Sequence, residues 1–153
     1  MKGAINLDWI KLSGVDVVHD IEKCPWPFKS NSFDTIYAYN VLEHVDNFVK
    51  IMEEIYRILK PNGILIVKGP YYMHKDAFTD PTHKGGFTTK SFQYFEEGCE
   101  LGYYTKARFK VEKIELIYNN HGLYRFFPFK KIFGYLLWNL IQGIEFRLRA
   151  IKK

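Results

Sequence analysis

Three polar residues follow short runs of apolar residues in the first third of the chain. Asp8 comes after "AINL", Asp20 after "VDVVH" and Asn40 after "TIYAY". In an open α/β sheet, ligands bind beyond the carboxyl ends of the strands, where the outgoing loops converge. One carboxylate at such an end can accept both hydroxyl hydrogens of a ribose, and a second can accept from an adenine amino group. Turn formation alone explains each residue singly, but the three together predict a nucleoside site.

Three histidines are candidates for proton transfer, His44, His74 and His83, of which we favour His44 and His83. His44 follows Asn40 and Glu43 in "NVLEH", and His83 lies in a later loop with Asp80 near it in sequence. Because an imidazole titrates near neutral pH, either histidine can remove a proton from a reacting hydroxyl or acid. Two ordinary alternatives stay open: His44 as a hydrogen-bonded residue at a helix start, and His83 as a residue that fixes its loop.

A metal site built from His44, His74 and His83 is the less favoured interpretation. The spacing of these three histidines matches none of the ligand repeats that are typical of zinc sites. The sequence therefore predicts no metal.

Short strands and one amphipathic helix are needed to position these residues. Alternating or continuous apolar runs predict strands at residues 4–7, 15–19, 35–39 and 63–69. Between the third and fourth strands, Asp46 can cap a helix whose apolar residues recur at intervals of three and four, and "KPNG" can end it. A strand, helix, strand unit with buried strands is typical of an α/β fold with a parallel sheet.

The second half of the chain predicts a long loop and an antiparallel sheet edge. The loop, residues 70–87, is a candidate lid or substrate wall, because loops of that length in compact domains are usually functional. A short helix is expected at 89–98. Strands at 108–118 and 144–151 are expected to pair antiparallel at one edge. Between them, residues 130–142 predict an aromatic amphipathic helix, which either packs on the fold or contacts a lipid surface or partner.

Composition and charge restrict the class of protein. With 153 residues, of which 47% are hydrophobic and 18% aromatic, the chain is expected to form one domain over residues 1–153. Cys24 and Cys99 lie far apart, which favours reduced thiols and a cytoplasmic location. No signal peptide and no membrane span are predicted, since the longest apolar run, 132–141, falls short of the roughly 20 residues that a bilayer needs. The charge of +5 is spread along the chain, so nucleic-acid binding is unlikely on charge alone.

Four stretches of the chain resemble the class I S-adenosylmethionine-dependent methyltransferases of the type 11 group. They are "INLD", "GVDVVHDIEKCPWPFKSNSFDTIYAYNVLEHV", "EEIYRILKPNGILIV" and "DPTHKGGFTTKSFQYF", within roughly residues 4–97. The resemblance implies a Rossmann-like, doubly wound, mostly parallel sheet with an antiparallel C-terminal edge hairpin. It also implies S-adenosylmethionine as cofactor and methyl transfer to a small-molecule acceptor.

The same resemblance assigns cofactor-binding roles to individual residues. Asp8 matches the family's ribose-binding acid, and Asp20 with Ile21 matches the pair that contacts adenine. Asn40 then faces the methionine part of the cofactor, with Glu43 beside it. These roles agree with those expected from the strand ends.

One part of the family pattern is absent. The family carries a first strand and a glycine-rich turn before the ribose acid, whereas only "MKG" precedes "AINL" here. The sequence therefore predicts an N-terminally truncated fold, in which two strands lack their central neighbour. They can pair directly with each other, or a second copy or a partner chain can complete the sheet. The alternative function is a non-catalytic binding or regulatory subunit with a methyltransferase-like fold.

Overall fold

The computed structural model describes residues 3–121, 125 and 129–152. In chain order, the helices and strands are β1 Leu7–Asp8, β2 Val17–Val18, β3 Phe33–Tyr39, α1 Phe48–Ile58, β4 Leu59–Pro70, α2 Asp76–Thr79, β5 Phe109–Tyr118, α3 Lys130–Phe133 and β6 Ile141–Ala150. Two short 3₁₀ turns, Gln93–Phe95 and Gly102–Tyr104, lie between α2 and β5.

The main sheet has four strands in the order β3, β4, β6, β5. β3 and β4 are parallel, with Tyr37 opposite Ile66, and the connection between them is α1. β6 lies between β4 and β5 and is antiparallel to both. The predicted α/β fold with an antiparallel C-terminal hairpin is therefore confirmed.

Helix α1 begins one residue later than the sequence suggested. Asn47, not Asp46, is the N-cap, because the Asn47 side chain accepts the Lys50 amide hydrogen at 3.0 Å. The carboxylate of Asp46 instead pairs with Lys84 at 2.8 Å. The apolar face of α1 packs on the sheet through fully buried side chains, namely Ile51, Met52, Ile55 and Ile58.

The core lies between this helix, the two central strands and a group of aromatic rings. Leu65 and Val67 of β4 and Ile144 and Leu148 of β6 have no exposed surface. The rings of Phe87, Phe92 and Phe146 contact one another, and those of Phe95 and Phe109 form a further pair. These contacts fix the position of the loop that leads from β4 through Phe87.

The first two strands do not join the main sheet. β1 is Leu7–Asp8 rather than 4–7, β2 is Val17–Val18 rather than 15–19, and the two form a separate parallel pair. Among the described residues, β3 pairs only with β4, so direct pairing of β1 with β3, one of the alternatives that the sequence left open, does not occur. The link between β1 and β2 is short, and backbone hydrogen bonds such as His19 N to Asp8 O hold the pair together locally.

The predicted helix at 130–142 is also wrong. Helix α3 ends at Phe133, and β6 already begins at Ile141. Asn139 has a left-handed φ of 64°, and its amide donates to Met73 O at 2.9 Å. Its side chain accepts the Lys75 amide hydrogen at 2.7 Å, so tertiary contacts to the β4–α2 loop replace helical hydrogen bonds here. Likewise, the helix expected at 89–98 is present only as the 3₁₀ turn Gln93–Phe95.

The segment after α3 presents apolar side chains to solvent. Leu136 is 72% exposed, and the exposed rings of Phe78 and Trp138 stack at 5.9 Å. Peripheral membrane contact through 130–142 stays a prediction. Within the described ranges, none of the helices has the length and apolar character needed to cross a bilayer.

Candidate functional site

Asp8 and Asp20 lie at the same edge of the small parallel pair. Leu7 is opposite Val17 and Asp8 is opposite Val18, so the carboxyl ends of both strands point the same way, and Asp20 follows two residues later. Asp8 Oδ1 accepts the Ile10 amide hydrogen at 2.8 Å, and Asp20 Oδ1 accepts that of Glu22 at 3.0 Å. Both acids thus form local turns, as the ordinary interpretation of each predicted.

These turns leave one carboxylate oxygen of each acid for other partners. Asp20 Oδ2 lies 3.5 Å from the Nζ of Lys23, whose side chain is 79% exposed. Asp8 Oδ2 accepts no hydrogen bond from any of the described residues. An acid fixed by one oxygen and open at the other is suited to accept hydroxyl hydrogens.

Ile21 is held in place by a chain of hydrogen bonds that ends on helix α1. Trp26 Nε1 donates to Ile21 O at 2.8 Å, and the Trp26 amide donates to Glu54 Oε1 at 2.6 Å. Arg57 donates to both oxygens of Glu54, at 2.6 and 2.9 Å. Burial by itself would raise the pKa of Glu54, but the hydrogen bonds from Arg57 and Trp26 outweigh burial and hold that pKa below its usual value.

A cleft separates the β1–β2 pair from the main sheet. Its volume is about 830 Å³, within the range of small-molecule sites. Its lining includes Leu7 of β1, Tyr37 and Tyr39 of β3, and Leu42. Of the site residues predicted from sequence, Ile21 lines the cleft, whereas Asp8, Asp20, Asn40, Glu43, His44 and His83 are not among its lining residues. The cleft therefore extends from the strand pair that carries Asp8 to the carboxyl end of β3.

Asn40 marks the point where β3 ends. Its φ is 51°, in the left-handed region that Asn tolerates better than most residues, and its amide donates to Lys68 O at 2.8 Å. The side chain is exposed, between the cleft-lining residues Tyr39 and Val41. This turn redirects the chain so that Glu43 and His44 follow at the carboxyl end of β3.

Glu43 is a buried acid with unused acceptors. It is 3% exposed, and neither carboxylate oxygen has a hydrogen-bond partner within the part of the chain that the structure describes. Burial raises the pKa of Glu43. Gly69 keeps room for the carboxylate, because a Cβ at that position would lie 3.3 Å from Glu43 Oε2 and 2.5 Å from the ring of Phe87.

His44 and His83 come together beside this acid. Their ring centroids lie 4.6 Å apart, and one ligand atom from each of Glu43, His44 and His83 lies within 4.8 Å of the other two. The loop that carries His83 is tied to Glu43, since the Lys84 amide donates to Glu43 O at 2.7 Å. Sequence reasoning named all three residues but did not group them, because His83 approaches through a loop that no local pattern specifies.

His74 does not belong to this group. It is 1% exposed, and its Nδ1 lies 3.2 Å from the carboxylate of Asp76, in its own loop. Burial lowers the pKa of His74, which favours the neutral ring. The histidine trio considered from sequence is thus replaced by a trio in which Glu43 takes the place of His74.

Comparison with known proteins finds methyltransferases among the similar sequences. Residues 2–67 match the family model described as a methyltransferase domain. An uncharacterized protein of Methanocaldococcus jannaschii is 58% identical over 94 residues, which cover 61% of this chain and 36% of that protein. The sterol 4-C-methyltransferase of Caenorhabditis elegans is 28% identical over 148 residues, covering 88% of this chain and 42% of the relative. The chain thus spans well under half the length of these two relatives.

The fold is shared with solved methyltransferase structures. An S-adenosylmethionine-dependent methyltransferase from Mesorhizobium loti superposes with a TM-score of 0.55 at 13% identity, over 90% of this chain and 70% of that one. Another, from Archaeoglobus fulgidus, gives a TM-score of 0.52 at 14% identity, over 80% and 61% of the two chains. The Rossmann-like assignment of the fold is therefore confirmed.

Proposed function

We propose that this chain is a class I S-adenosylmethionine-dependent methyltransferase, which transfers a methyl group from that cofactor to a small-molecule acceptor. The observation that carries the proposal is the cleft of about 830 Å³, whose lining residues Leu7 and Leu42 directly precede Asp8 and Glu43 in the chain.

The residues of the strand pair suit the adenosine part of the cofactor. Asp8 keeps Oδ2 for the ribose hydroxyls, and Asp20 with Ile21 is proposed to contact the adenine. Asn40 and Glu43, at the end of β3, are proposed to lie near the methionine part. When bound, S-adenosylmethionine supplies an electrophilic methyl group on a sulfonium, so these residues need to bind and orient it rather than activate it.

The acceptor is proposed to be apolar, with a polar group at the reacting end. The loop between β4 and Phe87 presents Tyr72 and Phe78 to solvent, at 40% and 66% exposure, which favours an apolar ligand. One relative is a sterol methyltransferase, and sterols are one such class. His44 or His83 is proposed to take a proton from the acceptor, because their rings adjoin each other beside a buried acid.

Calorimetric titration with S-adenosylmethionine tests the cofactor site. We expect Asp8→Asn to weaken binding by at least tenfold, about 1.4 kcal/mol, because an amide offers fewer acceptor sites to the ribose hydroxyls. Glu100→Gln is the control, since Glu100 is exposed and is not among the residues that line the cleft.

Two results would count against the proposal. Equal affinity in Asp8→Asn and the parent chain would remove Asp8 from the site. Absence of heat and of any thermal shift at about 1 mM cofactor, equivalent to a binding free energy weaker than about −4 kcal/mol, would favour the non-catalytic subunit instead.

A further inference from the structure

The cluster of Glu43, His44 and His83 has the composition of a metal site, and we propose that these three residues bind a divalent transition-metal ion, with Zn²⁺ as the best fit. Two imidazoles and one carboxylate supply three ligands, and their ligand atoms all lie within 4.8 Å of one another. Three protein ligands with a further position open to water or substrate are typical of catalytic zinc sites.

The buried state of Glu43 is the first reason. Its side chain is 3% exposed, and among the described residues neither oxygen accepts a hydrogen bond. Burial of a carboxylate without partners is unfavourable, and paired or metal-bound carboxylates avoid that desolvation penalty. A cation between Glu43 and the two histidines would neutralise that charge, and the described residues place no Lys or Arg side chain within ion-pair distance of Glu43.

The hydrogen bonds of His44 provide the second reason. Thr82 Oγ1 donates its single hydrogen to Asp80 Oδ1 at 2.7 Å, so the same oxygen must accept from His44 Nδ1, which lies 2.8 Å away. This arrangement fixes the hydrogen of the neutral ring on Nδ1 and leaves a lone pair on Nε2. Metal-binding histidines are commonly oriented in this way, through a hydrogen bond from the non-ligating nitrogen.

The third reason is how His83 is positioned. Its Nδ1 is buried and has no hydrogen-bond partner among the described residues. The backbone on both sides is fixed, because the His83 amide donates to Asp80 O at 3.2 Å and the Lys84 amide donates to Glu43 O at 2.7 Å. A second link ties the loop to the start of α1, through Lys84 and Asp46 at 2.8 Å. The backbone of His83 is thus fixed to that of Glu43, and one ring nitrogen of His83 lies within 4.8 Å of a Glu43 carboxylate oxygen.

The ligand set decides which ion fits. Imidazole nitrogens favour zinc and related transition metals, whereas Mg²⁺ and Ca²⁺ prefer oxygen ligands. Tetrahedral zinc with bond lengths near 2.1 Å separates its ligand atoms by about 3.4 Å, so the present spread of up to 4.8 Å requires only a small inward rotation of the side chains. In the loaded protein, His44 and His83 would hold the ion instead of taking a proton. The ion would then bind the acceptor's oxygen and lower its pKa, a role that rests on the proposed function.

Equilibrium dialysis of the metal-stripped chain against ZnCl₂, with metal analysis, tests the site without cofactor or acceptor. We expect one Zn²⁺ per chain, and at least a hundredfold weaker binding in Glu43→Gln and in His83→Gln, both close in shape to the parent residues. His121→Gln is the control, since that histidine is exposed and outside the cluster. Thr82→Val should weaken binding roughly tenfold, because it frees the His44 ring to adopt the wrong tautomer.

Several outcomes would overturn the metal site. Binding that survives both Glu43→Gln and His83→Gln would show an adventitious surface ion only, and no binding at micromolar ZnCl₂ would refute the site outright. Equal retention of MgCl₂ would contradict the role given to the histidines. Circular dichroism of each variant shows whether it is folded, and Co²⁺ in place of Zn²⁺ gives an independent absorption spectrum of the ligand set. The cofactor titration is to be run on metal-stripped protein as well, so that failure of the metal site leaves its result unaffected.

Discussion

The Glu54→Gln substitution should destabilise the fold by an amount that depends on pH. Glu54 accepts three hydrogen bonds, one from the Trp26 amide and two from Arg57, and its side chain is only 7% exposed. Hydrogen bonds to charged groups contribute about 1.5–3 kcal/mol each, but Gln retains one acceptor oxygen and the Arg57 side chain keeps 30% exposure to water. We therefore expect a loss of about 2 kcal/mol at pH 7, which is a fall in Tm of about 4–8 °C for a chain of this size.

The pH dependence follows from the direction of the pKa shift. Hydrogen bonds from Arg57 and Trp26 lower the pKa of Glu54 in the folded chain, in spite of its burial. The carboxylate therefore stabilises the folded state fully above its unfolded pKa, near 4.3, and loses this contribution as the pH falls through the lower folded value. The difference between the parent chain and Glu54→Gln should consequently shrink on acidification.

Urea unfolding followed by tryptophan fluorescence, in a series from about pH 7 to pH 3, measures both effects. Glu100→Gln is the matched control, because Glu100 is exposed, and it should change the free energy of unfolding by less than about 0.5 kcal/mol. A difference for Glu54→Gln that stays constant over the whole pH series, or that is below about 0.5 kcal/mol at neutral pH, would refute the reasoning.

Two further predictions concern the long loop and the open sheet edge. Gly86→Ala should lower the free energy of unfolding by about 1–3 kcal/mol and weaken zinc binding, because the added Cβ would lie 2.7 Å from Tyr72 Cα. Gly85→Ala is the control, since a Cβ there meets nothing within 4 Å. Equal thermal unfolding of the two variants would contradict this prediction. If a second copy completes the sheet at β3, light scattering should show a dimer. Tyr37→Lys should convert that dimer to a monomer, since a charge on an edge strand opposes pairing. A parent chain that is monomeric at every concentration would count against dimerisation.

Much of the fold followed from local patterns in the sequence. The apolar run at 63–69 correctly predicted β4, because a strand that is buried on both faces is apolar at successive positions. The apolar residues at intervals of three and four before it correctly predicted α1, because a helix that is buried on one face has that spacing. The clean alternation at 144–151 likewise indicated β6, and its antiparallel pairing with β5 is confirmed. The polar residues at the strand ends could also be named from sequence, because an Asp or Asn that follows an apolar run is a local pattern. The role of these residues in binding stays a prediction.

Tertiary contacts decided the rest. The helix expected at 130–142 gave way to a turn at Asn139, because hydrogen bonds to Met73 and Lys75 compete with helical ones and no single-segment pattern contains them. The strands form two sheets, with β1 and β2 apart from β3, because strand pairing depends on residues that are far away in the sequence. Above all, the sequence determined which acids and histidines are present, but only the folded chain brings Glu43 and His44 against a loop 38 positions away. The approach of His83 to Glu43 and His44 depends on how Phe87 and the loop before it pack onto the core, and the secondary-structure propensities of single residues do not specify that packing.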